Sequence, residues 1–256
     1  MYLERYRNPR VLGEWVWQEM MSEGPLPEGS ELWNDAYSVA RETMARARQN
    51  IEAIVDQLSR IQYRFAGFGS GLANEAWLPP TPDTPKQVAR LAAEAGPLPL
   101  SLRAWWEVVG GVSLQGSFDQ AGREQVLTDP LVVYPVDRVL EQMEEQREDS
   151  ELSEEERLTV ALAPDLYHKG DVSGGAPYEV RLPDGRVDTP LRNVRIPLSR
   201  PDRGTGRFRE VETTETFVEY LRRSLEWAGF PGIAFMGLDP QVERNLQPLS
   251  GQMNPI

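Results

Sequence analysis

A chain of 256 residues, 40% hydrophobic and 26% charged, can bury one substantial core with room for an appended element, and its composition is not that of a disordered chain. Its formal net charge of −13 argues against nonspecific attraction to nucleic acid or anionic membranes, which Lys and Arg supply, and suits a basic partner. With no cysteine, disulfides, thiolate nucleophiles and thiolate metal sites are excluded, and no apolar run approaches the roughly 20 residues that cross a bilayer.

The opening Met1–Arg10 carries positive charge with no uninterrupted apolar segment behind it. It does not resemble a secretory signal, and a cytoplasmic setting is expected. Residues 8–22 predict a helix started by Asn8 and Pro9, with Leu12, Trp15, Val16 and Met20 turned inward, broken by Gly24-Pro25-Leu26-Pro27. A long helix follows over 31–65. Trp33, Tyr37, Ala40, Met44, Ala47, Ile51, Ile54, Leu58, Ile61 and Phe65 alternate spacings of four and three, a heptad seam. Two readings of it are open: a spine packed on its own domain, or a self-association surface that makes a homodimer.

Gly67–Gly71 and the Pro-rich Leu78–Pro85 read as a connector. The glycines follow a helix rather than a strand and lack the Lys-Ser/Thr of a phosphate cradle. Thr84 and Pro85 cap a helix ending at Gly96. In Leu98–Gly111, Pro99 suits the first helical position and Gly110 or Gly111 the left-handed residue past the last turn. Leu102, Trp106 and Val109 form one stripe, with Trp105 beside it. Strands are predicted at 112–115, 131–134, 158–162, 178–182 and 194–196, a helix over 136–143, and a tight hairpin turn at Asp184-Gly185. A last helix spans 214–227, with Phe217, Tyr220, Leu221, Leu225 and Trp227 inside. Helices before and after a run of short strands predict an α+β fold.

Four segments, in order, resemble the SMI1/KNR4 family, the SUKH superfamily: Leu98–Gly111; Asp129–Asp137, a strand running into a helix-starting proline; Leu162–Asp165 with Asp171 and Gly174–Val180; and Thr216–Leu221. The resemblance covers about residues 80–232. It implies a mixed or antiparallel sheet flanked by helices over residues 84–232, preceded by a helical extension (1–66) and a connector (67–83) and followed by an irregular tail (233–256). It also implies a binding role without family-wide catalytic residues. Bacterial relatives are often immunity proteins that neutralise toxins, many of them nucleases, and fungal relatives regulate cell-wall synthesis and signalling.

Residues 141–157 hold nine acids and two bases, a solvated face or a landing strip for a basic toxin domain. Residues 192–209 carry six arginines and one Asp, but too few aromatics for a nucleic-acid platform. Asp165, His168 and Asp171 place one imidazole and two carboxylates within seven residues, a spacing that matches no closed metal site or triad. The expectation is therefore a protein that is not an enzyme and needs no metal or cofactor. Its candidate partner-binding residues are Trp105 at a rim, Glu141, Glu144, Glu145, Glu148, Asp165, His168 and Asp171. The alternatives are a regulatory scaffold that self-associates through the 31–65 helix and a metal-dependent hydrolase around Asp165, His168 and Asp171.

Overall fold

The structure is a computed structural model. It describes residues 1–68, 75–120, 123–126, 129–149, 151–163, 178–192, 195–197, 208–210, 215–231, 244, 246, 249 and 253–256. In chain order the elements are α1 (Tyr2–Arg7), α2 (Gly13–Ser22), α3 (Glu31–Arg60), β1 (Arg64–Phe65), β2 (Trp77–Leu78), α4 (Thr84–Ala95), α5 (Leu100–Val108), β3 (Gly111–Ser113), β4 (Gly116–Gln120), β5 (Arg123–Val126), β6 (Val132–Val133), α6 (Val136–Glu148), α7 (Glu154–Arg157), β7 (Thr159–Ala161), β8 (Glu179–Arg181), β9 (Arg195–Pro197), β10 (Phe208–Glu210) and α8 (Phe217–Glu226). This is the expected α+β arrangement. Every strand pair among the described residues is antiparallel: β1-β4-β5, β2-β3-β6, β7-β8 and β9-β10.

Ser30 starts α3 by accepting the Trp33 main-chain N–H on its hydroxyl at 3.1 Å. The heptad face then meets this chain's own residues: Ala40, Met44, Ala47, Ile51, Ile54 and Leu58 are wholly buried, with α5 and α8 packed across them. The small side chains let the helices approach closely. The helix ends at Arg60 rather than reaching Phe65, although the apolar spacing continues. Gln62 takes a left-handed φ of 61°, the Gln62 N–H donates to the Ser59 carbonyl (3.0 Å), and the Tyr63 N–H donates to the Leu58 carbonyl (3.0 Å). This pair of bonds is a Schellman stop with glutamine in the position usually held by glycine, and Phe65 turns into β1.

Three helices surround α5, with α3, α4 and α8 all against it. Its first N–H groups have no side-chain cap. Leu100 and Ser101 instead donate to the carbonyls of Arg186 (3.3 Å) and Val187 (2.9 Å). At its other end Gly110 takes φ 92°, and a Cβ there would sit 2.1 Å from the Leu78 carbonyl oxygen, so glycine is required. Because the helix is enclosed, both tryptophans are fully buried: the Trp105 ring meets Phe217 edge-on at 5.5 Å, and the Trp106 indole donates to the Tyr134 carbonyl at 3.1 Å. The rim position expected for Trp105 is thus corrected. An argument from adjacent side chains pointing about 100° apart assumes one open face, and α5 has none.

Three local expectations also change. Asn8 closes α1 and accepts the Arg10 N–H on its side chain at 3.0 Å, so the second helix starts only at Gly13. The buried stripe becomes Val16, Trp17 and Met20, leaving Leu12 and Trp15 57% and 58% exposed. Trp227 is the residue after the last turn of α8, beyond the helical period, and is 38% exposed. Asp184-Gly185 is no tight hairpin turn, since neither residue has positive φ; the Asp184 N–H donates to the Pro97 carbonyl, and the Gly185 carbonyl accepts from Leu26.

The buried side chains form one core that includes Tyr2, the α3 face, α5, the sheets, α8 and Ile256, so the helical extension and residues 84–232 share it. Truncating Ile51 to Ala is expected to lower the unfolding free energy by about 2–5 kcal/mol in urea titration. Light scattering of the variant should show no change in oligomeric state, whereas a dissociation would return the α3 face to an intermolecular role. Replacing Gln62 by Gly should raise stability by about 0.5–1 kcal/mol, and no gain would contradict the left-handed stop.

A candidate acidic binding face

Pro135 precedes α6, whose inner side chains Val136, Val139, Leu140 and Met143 are buried. The next strip of the helix carries two amides aimed at β7. Gln142 accepts the Ala161 N–H at 3.1 Å and donates to the Ala161 carbonyl at 3.4 Å, while Gln146 donates to the Thr159 carbonyl at 3.0 Å. Residues 158 and 162 bond toward β8, so the main-chain groups of 159 and 161 point the other way, to the outer edge. The two glutamines occupy that edge and fix the rotation of α6 about its axis. Glu141, Glu144, Glu145 and Glu148 consequently face solvent, and all four are exposed.

Part of this charge is answered locally. Arg138 pairs with Glu141 (3.0 Å) and lies 3.8 Å from Glu145. Arg90 of α4 binds both Glu144 and Glu94, the latter at 2.7 Å, and Arg147 reaches Glu94 at 2.9 Å. The hydrogen bonds from Arg90 and then Arg147 hold the Glu94 carboxyl below its ordinary range, against the opposing effect of burial. Beyond α6, Ser153 and Glu156 cap α7 reciprocally: Glu156 accepts the Ser153 N–H (2.8 Å) and hydroxyl (2.6 Å), which lowers its pKa. Glu148, Asp149 and Glu151 make no ion pair among the described residues. The face is a partly neutralised ridge with its free charge concentrated at the C-terminal end of α6.

Of the expected site residues, the four glutamates of α6 therefore share one surface. Trp105 is not on it. Asp165, His168 and Asp171 lie outside the described residues, as does most of the arginine-rich run 192–209. Among the described residues no group of three or more His, Cys, Asp or Glu is placed to hold a metal ion, and no helix is long and apolar enough to cross a membrane. An open cleft of about 450 Å³ lies between α1, α2 and α3. Two of its three acids are already engaged, Glu19 by Arg5 (2.6 Å) and Asp35 by the Tyr2 and Leu3 main-chain N–H groups, while Glu31 makes no ion pair among the described residues.

Two polar clusters escaped the sequence reading. Arg103 on α5 lies 5.4 Å from the ring centres of both Trp33 and Tyr37 and donates to Glu28 (2.7 Å) and Glu107 (3.2 Å). Glu107 also accepts from Tyr37, whose phenol is pushed up to about 12 by burial first and by that carboxylate second. The other cluster is centred on Asp188, which is wholly buried. Its carboxylate accepts from the Ser101 hydroxyl (2.6 Å), the Thr189 N–H (3.0 Å), the Val218 N–H (3.1 Å) and the Thr216 side chain. Burial outweighs these bonds and raises its pKa to about 6.

Compared with family models, curated proteins and solved structures, the chain matches none of them.

The Asp188 carboxyl should make stability depend on pH in a particular direction. Its folded pKa lies above its unfolded value, so its contribution is complete below about pH 4 and is lost as pH rises through about 6. The stability advantage of the wild type over Asp188→Ala should therefore grow by about 2 kcal/mol as pH falls from 7.5 to 4. Urea titrations of both proteins across that range check it, and a pH-independent difference would refute the assignment.

Proposed function

We propose that this chain is a cytoplasmic protein-binding protein of SMI1/KNR4 type, without catalytic activity, that neutralises a basic toxin by covering it with the α6 face. The observation that carries the reading is the exposed, rotationally fixed row Glu141, Glu144, Glu145 and Glu148 on a chain of net charge −13. A fixed row of one sign raises the rate of productive encounter with a cationic surface and disfavours anionic competitors. The α+β arrangement supports it too: the Leu98–Gly111 segment, the strand before Pro135 and the Thr216–Leu221 helix start stand in the order on which the family resemblance rests. Asp165, His168 and Asp171, expected from the sequence to take part in binding, lie outside the described residues. Self-association through the long helix is the weaker reading, because the seam that would drive it is covered within the chain.

The test takes the products of the genes flanking this chain's own as candidate toxins and measures binding to any that is basic. Expected is a stoichiometric complex whose association rate falls steeply with salt. Replacing Glu145 and Glu148 together by Lys should slow association about 10-fold at low salt while changing stability by less than about 0.5 kcal/mol. An association rate indifferent to both salt and these substitutions would overturn the acidic-face reading, and failure to protect against that protein would overturn toxin neutralisation.

A further inference from the structure

Residues 253–256 lie between α3 and α8, and their main chain is read group by group. Asn50, only 2% exposed, accepts the Asn254 N–H on Oδ1 at 2.7 Å and donates from Nδ2 to the Asn254 carbonyl at 2.9 Å. Arg46 donates to the Pro255 carbonyl at 3.2 Å, and Arg222 Nε donates to the Ile256 main-chain oxygen at 2.8 Å. Gln49 accepts from the Asn254 side-chain amide at 2.9 Å. Ile256 is buried and Met253 packs against the core, while Asn254 and Pro255 face solvent.

This is the pattern of a bound extended peptide. A side-chain amide pairs with one residue's N–H and C=O as a neighbouring strand would, and apolar anchors three positions apart supply selectivity. The reading groups are held by the body of the protein as well. The Arg46 guanidinium sits 4.6 Å from the Tyr6 ring centre and 3.4 Å from Glu42. Arg222 holds a further nitrogen, Nη2, that is buried and has no hydrogen-bond partner among the described residues.

We propose that the space between α3 and α8 is a peptide-binding site for extended segments of the type Met-Asn-Pro-Ile, occupied here by residues 253–256 of the same chain. A segment carried on the same chain competes at an effective concentration on the order of millimolar, so a peptide in solution must first displace it.

The full-length protein with Met253→Glu and Ile256→Glu places charge against the buried floor and frees the site. The synthetic peptide Gln-Met-Asn-Pro-Ile is then titrated into it and followed by the NMR shifts of the Arg222 Nε–H, a probe that survives the Asn50→Ala substitution. Expected is saturable binding, at least 10-fold weaker binding to the unsubstituted protein, and loss of binding when Asn50→Ala is added. If the double variant does not fold, hydrogen exchange in the unsubstituted protein decides. The Asn254 amide should be protected at least 10-fold over a free peptide, and peptide at roughly ten times the millimolar effective concentration should lower that protection several-fold. An absence of shifts at millimolar peptide, binding indifferent to Asn50→Ala, or Asn254 exchange that added peptide leaves unchanged would each overturn the proposal.

Discussion

The four residues Arg186–Thr189 satisfy the starts of two helices at once. The carbonyls of Arg186 and Val187 take the first N–H groups of α5, and Thr189 and the Asp188 carboxylate take those of α8. Orphan N–H groups at a buried helix start each cost as much as a lost hydrogen bond, so neither helix could sit in the core without these partners. Asp188 also binds Ser101, a residue of α5, so one carboxylate ties the two starts together. The edge-on contact of Trp105 with Phe217 and the burial of both tryptophans follow from that tie. The desolvation that raises the Asp188 pKa is the counterpart of this arrangement, and four donors partly offset it.

A second device recurs at two distant places. Gln142 pairs with the main chain of Ala161, and Asn50 pairs with the main chain of Asn254, each with both ends of its amide. In both cases a helix presents an amide to an extended segment that has no strand on that side among the described residues. The device orients α6 on β7 and holds residues 253–256 against α3. It needs only one side chain of the right length, and it costs little because the amide's own donor and acceptor are satisfied in the same contact.

What was legible in the sequence is what depends on local spacing. The alternation of four and three along α3, the Pro99 and Gly110 signals around α5, and the strands β3, β6, β7, β8 and β9 follow from neighbours within a turn or a strand; β1, β2, β4, β5 and β10 were not expected, and β2 lies in the segment read as a connector. The outward row of Glu141, Glu144, Glu145 and Glu148 was legible for the same reason, since three- and four-residue steps keep one face. The end of α3 was not, because glutamine at 62 adopts a conformation that sequence reading assigns to glycine. Trp105 was misjudged because helical periodicity assumes one buried side, whereas α5 is enclosed. Asp188 could not be found from spacing, as its partners lie 87 and 30 residues away. The inward glutamines of α6 were equally silent, their role being set by where β7 falls in space.

The glutamine contacts along β7 have a consequence for how anything can attach beside α6. A sheet usually grows by recruiting a stranger's backbone onto an unpaired border, a route that is indifferent to side-chain identity and prone to runaway polymerisation. Here that border is already sealed by Gln142 and Gln146. A visitor to this side must therefore be discriminated by its side chains and their charge, and the same seal guards the ribbon against stacking with its own copies.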